Sequence, residues 1–162
     1  GAGTGATVGK ICGMERAMKS GLGMYAVQLG ELRMAAVVAV NALGDIFDSS
    51  TGRKIAGLRT EDGTAFSDSC EELWKMGQRE NLFTGNTTIG AVITNGKFNK
   101  AQMNKIASMT RNAYARCINP VGTMADGDSI YAASAGEVEA DLNVAGTLAA
   151  YVMERAIVAA IR

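Results

Sequence analysis

A chain of 162 residues fits one domain, or a large part of one, and is long enough to bury about 70% of its unfolded surface. Sixteen Lys and Arg balance sixteen Asp and Glu, so no net field draws it to nucleic acid or to an anionic membrane. It contains no histidine, which excludes Ser-His-Asp and Cys-His relays and histidine-based metal sites, so hydrolytic chemistry needs another base.

Cys12, Cys70 and Cys117 are odd in number, widely spaced and without a CxxC pair. That pattern suits reduced thiols, with no disulfide, no zinc and no cofactor expected. The apolar runs are interrupted by Gly, Asn or charge before the roughly 18 residues a membrane span needs. No signal-peptide pattern opens the chain. A soluble, cytoplasmic protein is expected. The chain opens on Gly1 in a glycine run rather than at an initiator methionine or a capped element. An upstream part is therefore expected to be missing.

The opening GAGTGATVGK is a glycine-rich loop in which Gly1, Gly3 and Ala6 formally match the dinucleotide fingerprint G-x-G-x-x-G/A. That fingerprint needs a preceding strand, a following helix and an acidic residue about 20 positions on, and none of these is visible. Backbone packed close to another segment is the expectation. Next come MYAVQL (24–29) and LRMAAVVAVN (32–41), joined by Gly30-Glu31 as a hairpin. The second run is almost wholly apolar, which predicts a central strand covered on both faces. Residues 42–86 are rich in Gly, Asp, Ser and Thr and read as mostly loop, with at most a short helix around SCEELWKMG. They form a candidate linker or exposed segment.

TTIGAVITN resumes strand character. In 99–118, Met103, Ile106, Ala107, Met109, Ala113, Tyr114 and Cys117 recur at three-and-four spacing and predict an amphipathic helix. Asn99 is its expected N-cap and Pro120 its stop. DSIYAASAG reads as another strand. DLNVAGTLAAYVMERAIVAAIR reads as a final helix, apolar around so much of its circumference that it must be covered on most sides. Helices over a largely apolar sheet imply a layered α+β sandwich.

Asn86-Thr87-Thr88, within FTGNTTIGAVITNGKF, allows three readings. A glycosylation sequon requires a secreted, exposed loop, which the cysteine usage and the adjoining strand disfavour. Alternatively, Thr87 and Thr88 are β-branched strand residues after a Gly-Asn turn, and composition alone favours this. The third reading starts from the missing imidazole. A threonine freed at its N-terminus carries an α-amine of pKa about 7.7 to 8.0 that can act as base for its own hydroxyl. Only Ser, Thr or Cys can attack first the preceding carbonyl and later a substrate. Gly85 gives the backbone freedom for the turn this attack requires.

The segment GNTTIGAVITNGKFNKAQMNKIASMTRNAYARCINPVGTMADGDSIYAASAG resembles the DmpA-like L-aminopeptidase/D-esterase family. These are N-terminal nucleophile hydrolases that also include β-peptidyl aminopeptidases and nylon-oligomer hydrolase. GAGTGATVGK and AVVAVNALGD resemble its other shared segments, so the likeness covers nearly the whole chain. It implies a layered αββα sandwich of the DmpA/ornithine acetyltransferase type, here an incomplete chain. It also implies self-cleavage at Asn86-Thr87, with 1–86 as the C-terminal part of an α chain and 87–162 as a β chain, together one domain.

Thr87 is then the nucleophile, and Asp126 and Asp128 match the acidic pair that the nylon hydrolases place beside it. Without the resemblance, Asp126-Gly127-Asp128 reads as a solvated turn, although carboxylates at i and i+2 point the same way where a strand begins. Asn41 matches the family's oxyanion donor and otherwise reads as a strand-ending turn residue. Lys10 aligns with a lysine near the nucleophile and reads equally as a surface lysine.

The implied activity is that of an autoprocessing aminopeptidase or amidase acting on short peptides, amino-acid amides or ω-amino amides through a Thr87 acyl-enzyme. The implied partners are that substrate, the missing upstream α-chain segment and further copies of the processed α/β pair. One alternative is an acyl transferase of the ornithine acetyltransferase type, whose Lys-Gly stretch leading into Ala-Thr-Met-Leu is absent. The other is a non-catalytic protein that keeps the fold.

Overall fold

The computed structural model describes residues 1–77 and 85–161. In chain order the elements are β1 (Thr7–Val8), β2 (Met18–Lys19), β3 (Leu22–Leu29), β4 (Leu32–Ala39), β5 (Asp45–Asp48), β6 (Arg53–Ala56), α1 (Ser69–Met76), β7 (Ile89–Gly96), α2 (Lys100–Cys117), β8 (Ile118–Asn119), β9 (Ser129–Val138) and α3 (Leu142–Ala159). The main sheet runs β3-β4-β7-β9, with a three-stranded sheet β6-β5-β8 and the small pair β1-β2 beside it.

The hairpin forms where expected, with β3 and β4 antiparallel across Gly30-Glu31. Helix α2 starts at Asn99 in a capping box, its side chain accepting from the Gln102 N–H while the Gln102 side chain accepts from the Asn99 N–H. The helix ends at Cys117, because the residue before Pro120 is held in extended backbone and the chain turns into β8. This α2 connection lets β7 and β9 lie side by side in parallel.

Helices α2 and α3 pack together over one face of the main sheet, α3 above β3 and β4 and α2 above β9. Met34, Ala36, Val38 and Val92 point into this layer and meet Ile106, Tyr114, Met153 and Ile157. Helix α3 has the length and apolarity of a membrane span, yet more than half of it is buried inside this domain.

Two expectations are corrected. Strand β4 is central, but only one of its faces is covered among the described residues. The other face carries the rows Leu22-Ala39-Ile89 and Met24-Val37-Ala91-Tyr131, in which Met24 is 67% and Tyr131 65% exposed. Residues 42–77 are not a linker: they hold β5, β6 and α1, and bury Leu43, Ile46, Ala56 and Leu58. Their four-residue strands are too short and too charged to show periodicity. Asp45, 1% exposed, hides within them by accepting hydrogen bonds from Lys54 Nζ (2.7 Å), the Leu58 N–H (2.8 Å), the Ser69 N–H (3.0 Å) and Ser69 Oγ (2.7 Å). The rest of the 42–86 segment, residues 78–84, lies outside the described residues.

Close seating of α3 on the sheet depends on Gly23, where a Cβ would fall 1.9 Å from the Ala156 carbonyl oxygen. Gly23→Ala is therefore expected to lower stability by about 1–3 kcal/mol, as overpacking does. Denaturant unfolding of the full-length protein checks this, and an unchanged midpoint would contradict the packing.

Candidate active site

The sheet register gathers the site. Ala39 of β4 lies opposite Ile89 of β7, and Ile89 beside Ser129 of β9. Asn41 leaves β4 two residues after Ala39, Thr87 enters β7 two residues before Ile89, and Asp128 immediately precedes β9, so all three meet at one end of the sheet. An isolated parallel bridge between Asn86 and Asp126 extends the β7-β9 pairing one step further. Thr87 and Thr88 thus stand before the strand rather than in it.

Lys10 arrives from the glycine-rich opening. The Gly9 and Lys10 N–H groups donate to the Gly44 and Leu43 carbonyls, each at 2.9 Å, just beyond Asn41. Gly9, with φ 67°, lies so close to the chain at Leu58 that a Cβ would be 2.0 Å from its nitrogen. The opening is therefore backbone packed against backbone, as expected, and not a dinucleotide loop. Lys10 is 2% exposed and so is not a surface lysine. Its Nζ donates to Asn41 Oδ1 (2.8 Å) and to the Asn41 carbonyl (3.2 Å). Burial lowers its pKa to about 8, against the pull of the nearby Asp126 carboxylate, which raises it.

The Asn86-Thr87 peptide is held from several sides. Thr87 N–H donates to the Asn41 carbonyl at 3.0 Å, so Lys10 Nζ and the Thr87 nitrogen share one acceptor. The Thr87 hydroxyl donates to the Asn86 carbonyl at 2.6 Å, and the Gly127 N–H donates to the same oxygen at 2.9 Å. Asn41 Nδ2 donates to the Gly85 carbonyl at 2.9 Å. The Thr87 hydroxyl therefore rests against the Asn86 carbonyl, and two donors polarise that carbonyl.

The two aspartates divide their work. Asp126 Oδ2 accepts from the Thr123 N–H (2.9 Å) and hydroxyl (2.7 Å), tying its own loop. Asp128 Oδ1 accepts from the Thr88 N–H at 2.8 Å. In the unbroken chain the Thr87 hydroxyl donates to the Asn86 carbonyl, and the aspartates accept from Thr123 and Thr88 instead. Burial raises the Asp128 pKa, the Thr88 bond lowers it, Asp126 raises it, and Arg111 lowers it. Arg111 and Asp128 border one cavity of about 270 Å³, together with Tyr114.

Three contributors were invisible in the sequence. Gly127 acts through its backbone, and its only trace was a glycine between two aspartates; a Cβ there would stand 2.8 Å from Thr87 Oγ. The Thr7 N–H donates to Asn41 Oδ1 at 3.2 Å. Tyr114 was read only as core, yet its buried hydroxyl lies 3.4 Å from the Thr88 carbonyl and 3.3 Å from the Ser129 carbonyl. Among the described residues no group of three or more Cys, Asp or Glu side chains converges to hold a metal ion.

The profile of peptidase family S58 matches residues 1–162. The chain belongs to peptidase family S58. It is 32% identical over 142 residues to an uncharacterised aminopeptidase of Mycobacterium leprae, covering 86% of this chain and 37% of that protein. Against a 6-aminohexanoate-oligomer endohydrolase of Kocuria sp. it is 30% identical over 146 residues, covering 86% and 39%. The chain thus spans less than half the length of these curated relatives. The L-aminopeptidase D-Ala-esterase/amidase of Ochrobactrum anthropi superposes with a TM-score of 0.61 at 19% identity, over 99% of this chain and 43% of that one. That likeness shows the fold, a variant of the N-terminal nucleophile hydrolase architecture.

The raised Asp128 pKa has a sign that can be measured. A carboxyl whose folded pKa exceeds its unfolded value binds its proton more tightly when folded, so its charge costs stability increasingly as pH rises through that interval. Asp128→Asn keeps an oxygen for the Thr88 N–H and removes this cost. The melting temperature of the variant relative to the native protein is expected to climb as pH rises above the ordinary aspartate range, about pH 4. A falling difference would show that the charged form is favoured here.

Proposed function

We propose that this chain carries the nucleophile and charge-bearing groups of a self-cleaving N-terminal threonine hydrolase of aminopeptidase or amidase type. The observation that carries the reading is the contact of the Thr87 hydroxyl with the Asn86 carbonyl, which the Gly127 N–H also engages. Residues 1–86 are then the C-terminal part of an α chain, and Thr87 begins the β chain.

After cleavage the Thr87 amine replaces the missing imidazole as base for its own hydroxyl. Its nitrogen shares the Asn41 carbonyl with Lys10 Nζ, so a positive charge lies close by and favours the neutral, basic amine. Thr87 Oγ then adds to the substrate carbonyl, the substrate nitrogen leaves with a proton, and water releases the acyl group. Asn41 Nδ2 supplies a donor for the developing oxyanion. Asp128 accepts from the Thr88 N–H, and its charge balances the ammonium formed at Thr87 during turnover. Substrates of the expected class are short peptides, amino-acid amides and ω-amino amides. The relative named for 6-aminohexanoate oligomers supports the last of these. A segment upstream in the full-length protein is the proposed cover for the open sheet face.

In the full-length protein, intact mass is expected to show a fragment that begins at Thr87. Thr87→Ala should abolish both this cleavage and amide hydrolysis, while Thr87→Ser and Thr87→Cys retain cleavage in part. A Thr87→Ala protein that still splits at this bond would remove self-catalysis. Asp128→Asn is expected to slow turnover at least tenfold, about 1.4 kcal/mol in barrier. A native rate in that variant would take Asp128 out of the mechanism.

A further inference from the structure

We infer that the two acyl reactions at Thr87 use different oxyanion donors: the Gly127 main-chain N–H serves self-cleavage, and the Asn41 amide serves turnover. The inference rests on the self-cleavage reading above. In the unbroken chain the Asn86 carbonyl oxygen accepts from Gly127 N–H at 2.9 Å, whereas Asn41 Nδ2 lies 2.9 Å from the carbonyl one residue upstream, that of Gly85. One donor faces the bond to be cut. The other holds the strand that will leave.

The step balances within the chain. Thr87 Oγ forms a bond to the Asn86 carbonyl carbon, and the negative charge that gathers on the carbonyl oxygen meets the Gly127 N–H. The Asn86-Thr87 C–N bond then breaks, and the hydroxyl proton ends on the departing Thr87 nitrogen, leaving an ester and a free amine. Water adds to the ester, giving the Asn86 carboxylate and restoring the Thr87 hydroxyl. Once residues 85 and 86 withdraw, Asn41 Nδ2 loses its Gly85 acceptor and can turn to an incoming substrate carbonyl.

The aim of the Gly127 N–H is set by its neighbours. Asp126 ties the loop before it through Thr123, and Asp128 binds Thr88 after the nucleophile. In the unbroken chain both aspartates therefore act as positioning residues for a backbone donor. Glycine suits this position because a Cβ at 127 would stand 2.8 Å from Thr87 Oγ and push that hydroxyl aside.

The test separates the two rates in the full-length protein. Asn41→Asp keeps oxygen acceptors for Lys10 Nζ and the Thr7 N–H but removes the N–H donor. It is expected to self-cleave within tenfold of the native rate, followed by intact mass, while hydrolysis of an amino-acid amide falls about 10²–10³-fold, as loss of one oxyanion donor does. Exchanging the Gly127 amide for an ester, by incorporating glycolic acid there, removes only that N–H and is expected to slow self-cleavage about 10²-fold. Equal losses of cleavage and turnover in Asn41→Asp, or native-rate cleavage in the Gly127 ester, overturn the division of donors while leaving self-cleavage intact. Splitting of Thr87→Ala is the separate result that removes the reading beneath it.

Discussion

The register that sets Ala39 opposite Ile89, and Ile89 beside Ser129, brings three segments of distant sequence position to one end of the sheet. Among the described residues, nothing in the site is held by a long side chain reaching in from the surface, and Lys10 is itself buried. Asn41, Thr87 and Asp128 stand within two residues of a strand end, and the links among them are mostly backbone: Thr87 N–H to Asn41, Gly127 N–H to Asn86 and Thr88 N–H to Asp128. A slip of one residue would turn every side chain of β7 to the opposite face, taking Val92 out of the core as it misplaced Thr87. Burial under α2 and α3 thus specifies the register, and the register specifies the chemistry.

Charge at this site is bought at the expense of solvation. Lys10 is buried with its pKa near 8, and Asp128 is pushed the other way, so each ionised form is held where water would suit it better. Asp45 shows the contrasting arrangement. It is more deeply buried than Asp128, but four donors surround it and bind the 57–69 segment to the β5-β6-β8 sheet. One carboxylate is saturated and structural, whereas the other is lightly bonded and bordered by a cavity. A chain without imidazole needs a group that changes protonation near neutral pH, and desolvation of Lys10 supplies one.

Long elements were legible in the sequence because one physical signal dominated each of them. Period-two alternation marked β7, three-and-four spacing marked α2 with its Asn99 cap, and a nearly unbroken apolar run marked β4. Segment 42–77 was misread because β5 and β6 are four residues long and carry Asp45 and Lys54, whose charges are neutralised only by pairing with each other across the fold. In the site, the side chains Lys10, Asn41, Asp126 and Asp128 were readable through motif resemblance, and the structure brings them around Thr87. Gly127, Thr7 and the Tyr114 hydroxyl were not, because their contributions depend on where the backbone passes and leave no residue-type signature.

The misreading of β4 has its own physical content. An antiparallel sheet with one wet face normally alternates apolar and polar residues, yet here Leu22, Met24, Val37, Ile89, Ile93 and Tyr131 all face outward. Monomeric proteins rarely leave so continuous an apolar surface in water. The sequence pattern therefore describes a sheet meant to be buried on both sides, and the described residues supply only one of its covers. Because Ile89 belongs to these outward rows and lies two residues from Thr87, whatever covers the face also bounds the approach to the Thr87 hydroxyl. The gathered polar groups and the open apolar face are in this way separable: the first are fixed by a register internal to the chain, the second by what packs against its open side.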